Sequence, residues 1–478
     1  MEVGGLLHGA MAAERNIYKA SYPSSTDSDL PRDHTVDEEK HANRDAGEPQ
    51  GYDGMANTGE VFGDETDKQV KYRTMKWWHA ALVMIAETIS LGILSLPSTL
   101  AAVGLVPGII LIVGLGAVST YTGYVFWQFK MRYPHVHNMA DVGEIFLGPI
   151  GRELGGFLQN VYLVFIMGSH LLTWTIALNT ITGHATCTIV WSVVGLILHA
   201  ILTFPRTLKN VSYLSIGAFI SIFSAVMITM ISVGISRPDP HVQATVAVSF
   251  ASAFGSVMNI IFAFGGHVAF FSFISELKDP REFPKALYTL QLVNTSLYII
   301  SAVVIYRFAG PSVASPALGS ASHVVRKITY GISLPTIVVA GVIYAHVASK
   351  YVYVRLFRGT RHMHERTWLS WGSWTAILTV LWIIAWIIAE SVPVFNNLVG
   401  LIAALFASWF TYGLAGFMWI YLNWGQLTKN WKKVGLTVVN VICFIIGAAS
   451  CGLGLWASGL AISQDESSAT WSCANNGV

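Results

Sequence analysis

The sequence predicts an all-α, polytopic membrane protein with about eleven transmembrane helices. Three observations support this: the composition, a series of apolar stretches and the distribution of Lys and Arg. Hydrophobic residues make up 53% of the chain and charged residues only 12%, with a mean hydropathy of +0.53. The charged fraction is about half of that expected for a soluble domain. A soluble protein of 478 residues could not keep so much apolar surface away from water.

The N-terminal region differs from the rest of the chain. Residues 1–70 contain fifteen acidic residues and six Lys or Arg. The remaining 408 residues contain twelve acidic residues and twenty-three Lys or Arg. The N-terminal region has too few large apolar side chains to offset the entropy of ordering. We therefore predict a disordered, acidic, cytoplasmic tail over residues 1–70. A transmembrane domain follows over residues 71–461, and a short extracytoplasmic tail over residues 462–478.

Eleven apolar stretches are long enough to span a membrane, because a helix needs ~20 apolar residues to cross the hydrocarbon core. A spanning segment must satisfy its own backbone polar groups, which favours helices. The predicted spans are residues 78–101, 104–128, 157–181, 186–205, 213–235, 246–275, 286–309, 332–356, 372–390, 395–421 and 434–460.

Lys and Arg are unevenly distributed between alternate loops. One set of loops contains nineteen, from Lys71 to Lys433, whereas the opposite set contains four. Cytoplasmic loops carry the excess of Lys and Arg in membrane proteins. The N-terminus is therefore predicted to be cytoplasmic, and an odd number of spans places the C-terminus on the other side.

Two spans contain helix-breaking residues at membrane depth. Span 1 contains Gly92 and Pro97, and the proline lacks the N–H that would bond to the carbonyl of Ile93. Span 6 contains the run Phe262-Ala263-Phe264-Gly265-Gly266-His267. Glycine also permits close helix packing, and that alternative stays open. Broken helices at corresponding positions of two repeats are typical of secondary transporters, with the substrate bound between them.

A break of this kind suits an α-amino acid. The N-terminal end of a half-helix carries partial positive charge that attracts a carboxylate, and free carbonyl groups attract an ammonium group. The predicted substrate-binding residues are Thr88, Ser90, Leu91, Gly92, Ile93, Leu94, Phe262, Phe264, Gly265, Gly266 and His267.

The run from Gly92 to Pro97, with Gly104 following, resembles the first-helix motif of the amino acid/auxin permease family, in particular the fungal neutral amino acid permeases. The Phe264-Gly265-Gly266-His267 run is similar to the sixth helix of that family. The resemblance covers roughly residues 75–460. It implies two inverted five-helix repeats of the LeuT/APC type, with helices 1 and 6 broken and span 11 added. It also implies amino acid transport driven by protons in fungi, and by sodium in some animal members.

Three residues are candidates for ion coupling. Glu87 is the one acid well inside a predicted span. Placing a carboxyl group at this depth costs free energy, so such a residue is a candidate for a functional role by default. A structural acid that stays protonated is the alternative. Sodium-coupled proteins of this fold place hydroxyl residues on span 8, where this chain has Ser349 followed by Lys350. One hydroxyl is a poor cage for sodium, so protons are favoured, and Lys350 is expected to extend to the interface.

The predicted function is therefore secondary active transport of neutral, aliphatic or aromatic amino acids, with protons rather than sodium as the coupling ion. An amino acid sensor with the same fold and a sodium-coupled transporter are the alternatives. We expect no enzymatic activity, metal, cofactor or nucleic acid, because no catalytic or metal-binding motif is present. The plasma membrane is favoured, with the vacuolar membrane left open. A disulfide between Cys187 and Cys473, both expected outside, is also left open.

The loop charges generate a test of topology. An N-glycosylation acceptor added to the C-terminus should be modified in cells, and the same acceptor at the N-terminus should not, because only the lumenal side meets the glycosylation machinery. Gel mobility before and after deglycosylation measures the outcome. Modification at the N-terminus, or an even number of spans by cysteine labelling, would contradict the predicted orientation.

Overall fold

The structure is a computed structural model. It describes residues 73–206, 209–239, 241–357, 359–360, 362, 365, 367–464 and 470–477. The prediction of a disordered tail over residues 1–70 lies outside the described residues.

The described part of the chain is helical and contains no β-strand. The helices are α1 Trp77–Val103, α2 Leu105–Arg132, α3 Met139–Thr182, α4 Thr188–Leu202, α5 Lys209–Ser236, α6 in two segments Phe250–Ala263 and Phe270–Glu276, α7 Phe283–Ala309, α8 His323–Phe357, α9 Trp368–Ser391, α10 in three continuous segments Phe395–Ile402, Ala403–Gly413 and Leu414–Leu422, and α11 Trp431–Gln464.

This architecture confirms the predicted fold class. Ten helices in the described residues are long and apolar enough to cross a membrane, and α4 is a shorter apolar helix of 15 residues. Helix α3 begins well before the predicted span, at Met139, and is capped by Asn138, whose side chain accepts the backbone N–H of Ala140 at 2.8 Å. It bends at Gly148, where φ is 63°. The early segment was missed because its polar residues resemble a loop.

The predicted break in helix 6 is present. The first segment of α6 ends at Ala263, a tight turn follows over Gly266–Ala269, and the second segment begins at Phe270. All of these residues are buried. Adjacent glycines offer no side chain to pack and no preference for helical angles, so the backbone leaves the helix here.

The predicted break in helix 1 is wrong, because α1 is continuous from Trp77 to Val103. Pro97 removes one helical hydrogen bond and crowds the carbonyl of Ile93, and proline inside a membrane helix is tolerated without a break. The helix carries on past Pro97 as far as Val103. Gly92 has a packing role instead.

Helix α1 lies at the centre of the bundle. It packs against α5, α6, α7 and α8, and its most apolar stretch is 94% buried. The corresponding stretches of α2 and α9 are 33% buried, and that of α11 is 22% buried. The apolar surfaces of these three outer helices therefore suit contact with lipid, and α1 with α6 forms the interior.

The bundle end at the start of α1 is closed by buried charges and backbone pairing. Lys350 of α8 forms an ion pair with Glu276 at the end of α6, and their side chains are only 6% and 3% exposed. The N–H of Met75 donates to the carbonyl of Glu276 at 3.1 Å, and the N–H of Lys278 donates to Met75 at 2.8 Å. The expectation that Lys350 extends to the interface is wrong, because an acidic partner is available inside the protein.

The opposite end of the bundle carries a disulfide. Cys187, just before α4, is bonded to Cys473 in the segment after α11. The hydroxyl of Thr188 donates to the carbonyl of Ala474 at 2.6 Å. The cross-link that the sequence left open is therefore present, and we call this the disulfide end.

The buried ion pair generates a prediction about stability. Glu276→Leu should destabilise the protein by about 3–5 kcal/mol, because it leaves the Lys350 ammonium buried without its counter-charge. The double variant Glu276→Leu/Lys350→Met should recover most of that loss. Thermal unfolding of the purified protein in detergent measures both. Glu153→Gln, at an exposed ion pair with Arg355, is the control and should cost less than about 1 kcal/mol. Equal destabilisation in the single and double variants would contradict the prediction.

Candidate functional site

A small enclosed cavity lies where α1 crosses the α6 break. Its volume is about 10 Å³, which is room for about one water molecule. The lining residues are Glu87, Thr88, Leu91, Gly92, Tyr162, Ile166, His170, Phe262, Gly265, Gly266 and Tyr344. An amino acid is larger than this cavity, so the bundle must rearrange before one can occupy it.

The cavity includes about half of the residues predicted to bind substrate. Glu87, Thr88, Leu91 and Gly92 form one face of α1, because a helix repeats every 3.6 residues. The other predicted residues of α1 point elsewhere because the helix is continuous. They are Ser90, Ile93 and Leu94, all buried but outside the cavity lining.

Two predicted residues of the α6 break also lie away from the cavity. The ring of Phe264 packs against Tyr298 of α7, with centroids 5.3 Å apart. His267 turns toward α2, where its Nε2 lies 3.0 Å from the carbonyl of Ser119 and 3.1 Å from the hydroxyl of Thr122. The carbonyl can only accept, so we infer that Nε2 carries the proton. His267 therefore fastens the break to α2.

The sequence suggested free carbonyl groups at the break, but the structure shows that they are paired. Hydroxyl groups from α7, α2 and α3 donate to them. The pairs are Tyr298 with Ala263 at 2.9 Å, Ser119 with Phe264 at 3.4 Å, and Tyr162 with Gly265 at 2.8 Å. Buried carbonyls must be paired, and these side chains replace the helical donors that the break removes.

Thr88 connects α1 to α7 at the same level. Its hydroxyl donates to the carbonyl of Met84 at 2.8 Å and accepts from the amide of Asn294 at 2.7 Å. The phenol of Tyr298 also lies 3.0 Å from the carbonyl of Thr88. Tyr298 therefore bridges α1 and the end of the first α6 segment.

Two glycines set the separation of α1 and α6. A Cβ on Gly92 would lie 2.9 Å from the Cα of Ala263 and 2.8 Å from the hydroxyl of Tyr298. A Cβ on Gly266 would lie 2.7 Å from the methyl group of Thr88. Real Cβ atoms do not approach other atoms so closely, so both positions need glycine in this arrangement.

Glu87 is the acidic residue that lines the cavity, and it is only 2% exposed. Neither carboxyl oxygen has a hydrogen-bond partner of good geometry among the described residues. The phenol of Tyr344 lies within hydrogen-bonding reach of the carboxyl group, and the phenol of Tyr162 is close enough to interact with its charge. A buried carboxyl group without a firm partner is costly as an anion, which favours binding a proton or a cation.

The other two ion-coupling candidates do not join Glu87. The hydroxyl of Ser349 is buried without a partner among the described residues, and it lies outside the cavity lining. Lys350 pairs with Glu276 at the end of α6. Of the three predicted coupling residues, only Glu87 therefore lines the cavity, and Lys350 is bound in an ion pair at one end of the bundle.

Sequence reasoning missed four lining residues: Tyr162, Ile166 and His170 on α3, and Tyr344 on α8. The first three are four residues apart, so they share one helix face, and the polar groups of Tyr162 and His170 on that face of an apolar span were a usable signal. The ring of Tyr162 stacks on Phe410 of α10 at 5.5 Å between centroids. The wide-turn helical segment Ala403–Gly413 places that ring, which nothing in the sequence indicated.

The arrangement of a broken helix packed on a central helix is shared with solved structures of the LeuT type of fold. The transporter Mhp1, in a closed conformation with bromovinylhydantoin bound, aligns with a TM-score of 0.53 and 15% identity, over 84% of this chain and 96% of that one. MhsT in complex with L-phenylalanine aligns with a TM-score of 0.55 and 10% identity, over 80% of this chain and 100% of that one. At these identities the likeness shows the fold alone.

The family model described as "Transmembrane amino acid transporter protein" matches residues 73–460, and the chain belongs to that family. The N amino acid transport system protein of Neurospora crassa is 35% identical over 416 residues, 84% of this chain and 88% of that protein. The amino acid transporter AVT1H of Arabidopsis thaliana is 25% identical, over 77% of this chain and 88% of that protein. The family resemblance is confirmed: this is a multi-pass amino acid transporter and not an enzyme.

The two close-contact glycines generate a prediction about the site. Gly92→Val and Gly266→Val should each reduce amino acid uptake at least about 100-fold, because the added side chain forces α1 and α6 apart. Uptake of radiolabelled amino acid by proteoliposomes measures this, with membrane insertion checked separately. Gly114→Val is the control, because nothing lies within 4 Å of a Cβ built there. Normal uptake by both site variants would show that the crossing does not matter for transport.

Proposed function

We propose that this protein is a proton-coupled symporter of neutral amino acids, working by alternating access around the cavity between α1 and α6. The observation that supports it best is Glu87, a 2% exposed acid that lines the cavity and forms no ion pair among the described residues. A proton neutralises such a group at little structural cost. Glu87 is thus our candidate for the proton carrier.

The lining supports a substrate with an uncharged side chain. Leu91, Ile166 and Phe262 offer apolar contact, and Glu87 is the single acidic residue of the lining. No Lys or Arg lines this cavity within the described residues. An aliphatic or aromatic side chain fits that composition better than a charged one, which would lack a partner.

The carbonyls of the break are our candidate sites for the ammonium group of the substrate. Ala263 and Gly265 each accept one hydrogen bond from a tyrosine. A carbonyl oxygen has two lone pairs, so each can accept a second donor when the cavity widens.

Of the predicted substrate residues, we propose that those of α1 and α6 that line the cavity contact the substrate. We propose that the others support these residues by packing. They are Ser90, Ile93, Leu94, Phe264 and His267.

Two independent features support a cytoplasmic N-terminus. The loops on the side of the Lys350–Glu276 pair carry the excess of Lys and Arg. The Cys187–Cys473 disulfide lies at the other end, and disulfides persist in oxidising compartments. We propose that the disulfide end faces outward from the plasma membrane.

Sodium coupling is the second candidate. Its supporting observation is the hydroxyl of Ser349 on α8, which is buried and has no partner among the described residues. Sodium and other hard cations prefer several oxygen ligands, and neighbouring Ala345 and Ala348 provide no side-chain oxygen. Proton coupling is therefore the first choice.

The proposed role of Glu87 generates a prediction. Glu87→Gln mimics the permanently protonated acid, so accumulation of substrate against a gradient should be lost. Exchange of labelled for unlabelled substrate should persist within about threefold, because exchange does not require the empty carrier to return. Uptake and exchange by proteoliposomes at acidic and neutral pH, with and without a protonophore, measure the outcome.

The controls separate proton coupling from the alternatives. Glu144→Gln, which changes an exposed glutamate with 45% side-chain exposure, should transport like the wild type. Accumulation that survives in Glu87→Gln would indicate a structural acid. Wild-type uptake that follows external sodium and ignores pH would exclude the proton proposal, whatever Glu87 does.

A further inference from the structure

A second cavity lies at the disulfide end of the bundle, with a volume of about 250 Å³. Its walls come from α3, from the turn between α9 and α10, and from the segment 470–477, which follows α11. Ligand cavities for drug-sized molecules begin near 300 Å³, so this volume suits a smaller molecule. None of its lining residues belongs to the cavity between α1 and α6.

The segment 470–477 is fixed over this cavity by several interactions. The disulfide joins Cys473 to the start of α4. The side-chain amide of Asn179 donates to the side chain of Asn476 at 2.7 Å. The ring of Trp471 meets Trp386 of α9 edge to face, with centroids 5.4 Å apart. The segment is therefore a built wall of the cavity.

Glu390, in the last turn of α9, gives the cavity a negative pole. The residue is 7% exposed and lines the cavity. Its polar neighbours are Ser192 and the indole of Trp386, which are both uncharged, and the indole N–H donates to the Ser192 hydroxyl at 2.9 Å. No ion pair among the described residues includes Glu390, although a buried carboxylate gains most from a cationic partner.

The start of α10 gives the same cavity a positive pole. Pro393, Val394 and Phe395 line the cavity, and α10 begins at Phe395. Val394 precedes the helix and provides no side-chain cap for its first N–H groups. Helix starts attract carboxylates through these N–H groups and the helix dipole.

The two cavities lie along one helix. Leu172 and Ile176 of α3 line the outer cavity, whereas Ile166 and His170 line the central one. At 1.5 Å per residue, the two groups are about 10 Å apart along α3. An amino acid that enters from the disulfide end would meet the outer cavity before the central one.

We propose that this outer cavity is a second amino acid site, which binds the ammonium group at Glu390 and the carboxylate at the start of α10, with the segment 470–477 as its wall. The occupant is a small zwitterionic α-amino acid, because the cavity presents both poles in a limited volume. The site goes beyond the transport function proposed above and does not depend on how transport is coupled to an ion.

Equilibrium binding to the purified full-length protein tests the site. The probes are tritiated glycine, L-alanine, L-leucine and L-phenylalanine, each measured separately. At least one probe should bind wild type at two sites per protein. Glu390→Gln should remove one of them or weaken it about 10- to 100-fold, because an ammonium–carboxylate contact is lost. Glu282→Gln, which changes a partly exposed glutamate at the other end, is the control and should keep both sites.

A second measurement separates the two cavities. Ser315 lies in the wall of the outer cavity, and Ser315→Cys provides a thiol there once Cys443 and Cys451 are replaced by alanine. The same four probes should slow its labelling by a membrane-impermeant thiol reagent, even when Gly266→Val disables the central site. Adding Glu390→Gln should abolish that protection.

Either of two results would overturn the proposal. One is a single binding site per wild-type protein for every probe, together with no protection of the Ser315→Cys thiol. The other is full binding and full protection in the Glu390→Gln variant. Neither result would affect the central site, because uptake and the Glu87→Gln experiment test that site separately.

Discussion

The break in α6 imposes the main constraint on this structure, because it exposes backbone carbonyls where no water is available to bind them. Each unpaired group of this kind costs several kcal/mol in a hydrocarbon environment. Tyr162, Tyr298 and Ser119 satisfy the carbonyls of the break from three different helices. The position of the break therefore fixes the positions of α2, α3 and α7 around it.

These side-chain donors also make the break suitable for a transporter. Helical hydrogen bonds are lost only when the helix unwinds, whereas a tyrosine hydroxyl can leave its carbonyl by a change of side-chain conformation. The central cavity of about 10 Å³ is too small for an amino acid, so widening it requires such changes. Gly92 and Gly266 allow the close contact of α1 and α6 that this arrangement shows.

The two ends of the bundle are built from different interactions. One end is closed by the buried pair of Lys350 and Glu276 and by backbone pairing at Met75. The disulfide end has larger polar cavities and a cross-linked segment over one of them. A buried ion pair is costly to separate, whereas hydroxyl- and amide-lined cavities are readily hydrated. The two ends of the bundle therefore differ in how readily water can enter.

The sequence by itself determined the membrane class, the approximate spans and the break in α6. Hydrophobic length, loop charge and paired glycines act locally, so they can be recognised without knowing which helices touch. It also indicated Glu87 as a functional candidate, because an acid is rare inside an apolar span.

Only the tertiary structure decided the rest. Whether Gly92 breaks α1 or packs against Ala263 depends on the neighbouring helix. Whether Lys350 reaches water or Glu276 depends on where α6 ends. The tyrosines that satisfy the break, and the segment that covers the outer cavity, are far from their partners along the chain. Hydrogen bonds and packing between distant residues carry no local pattern, which is why the sequence alone could not assign them.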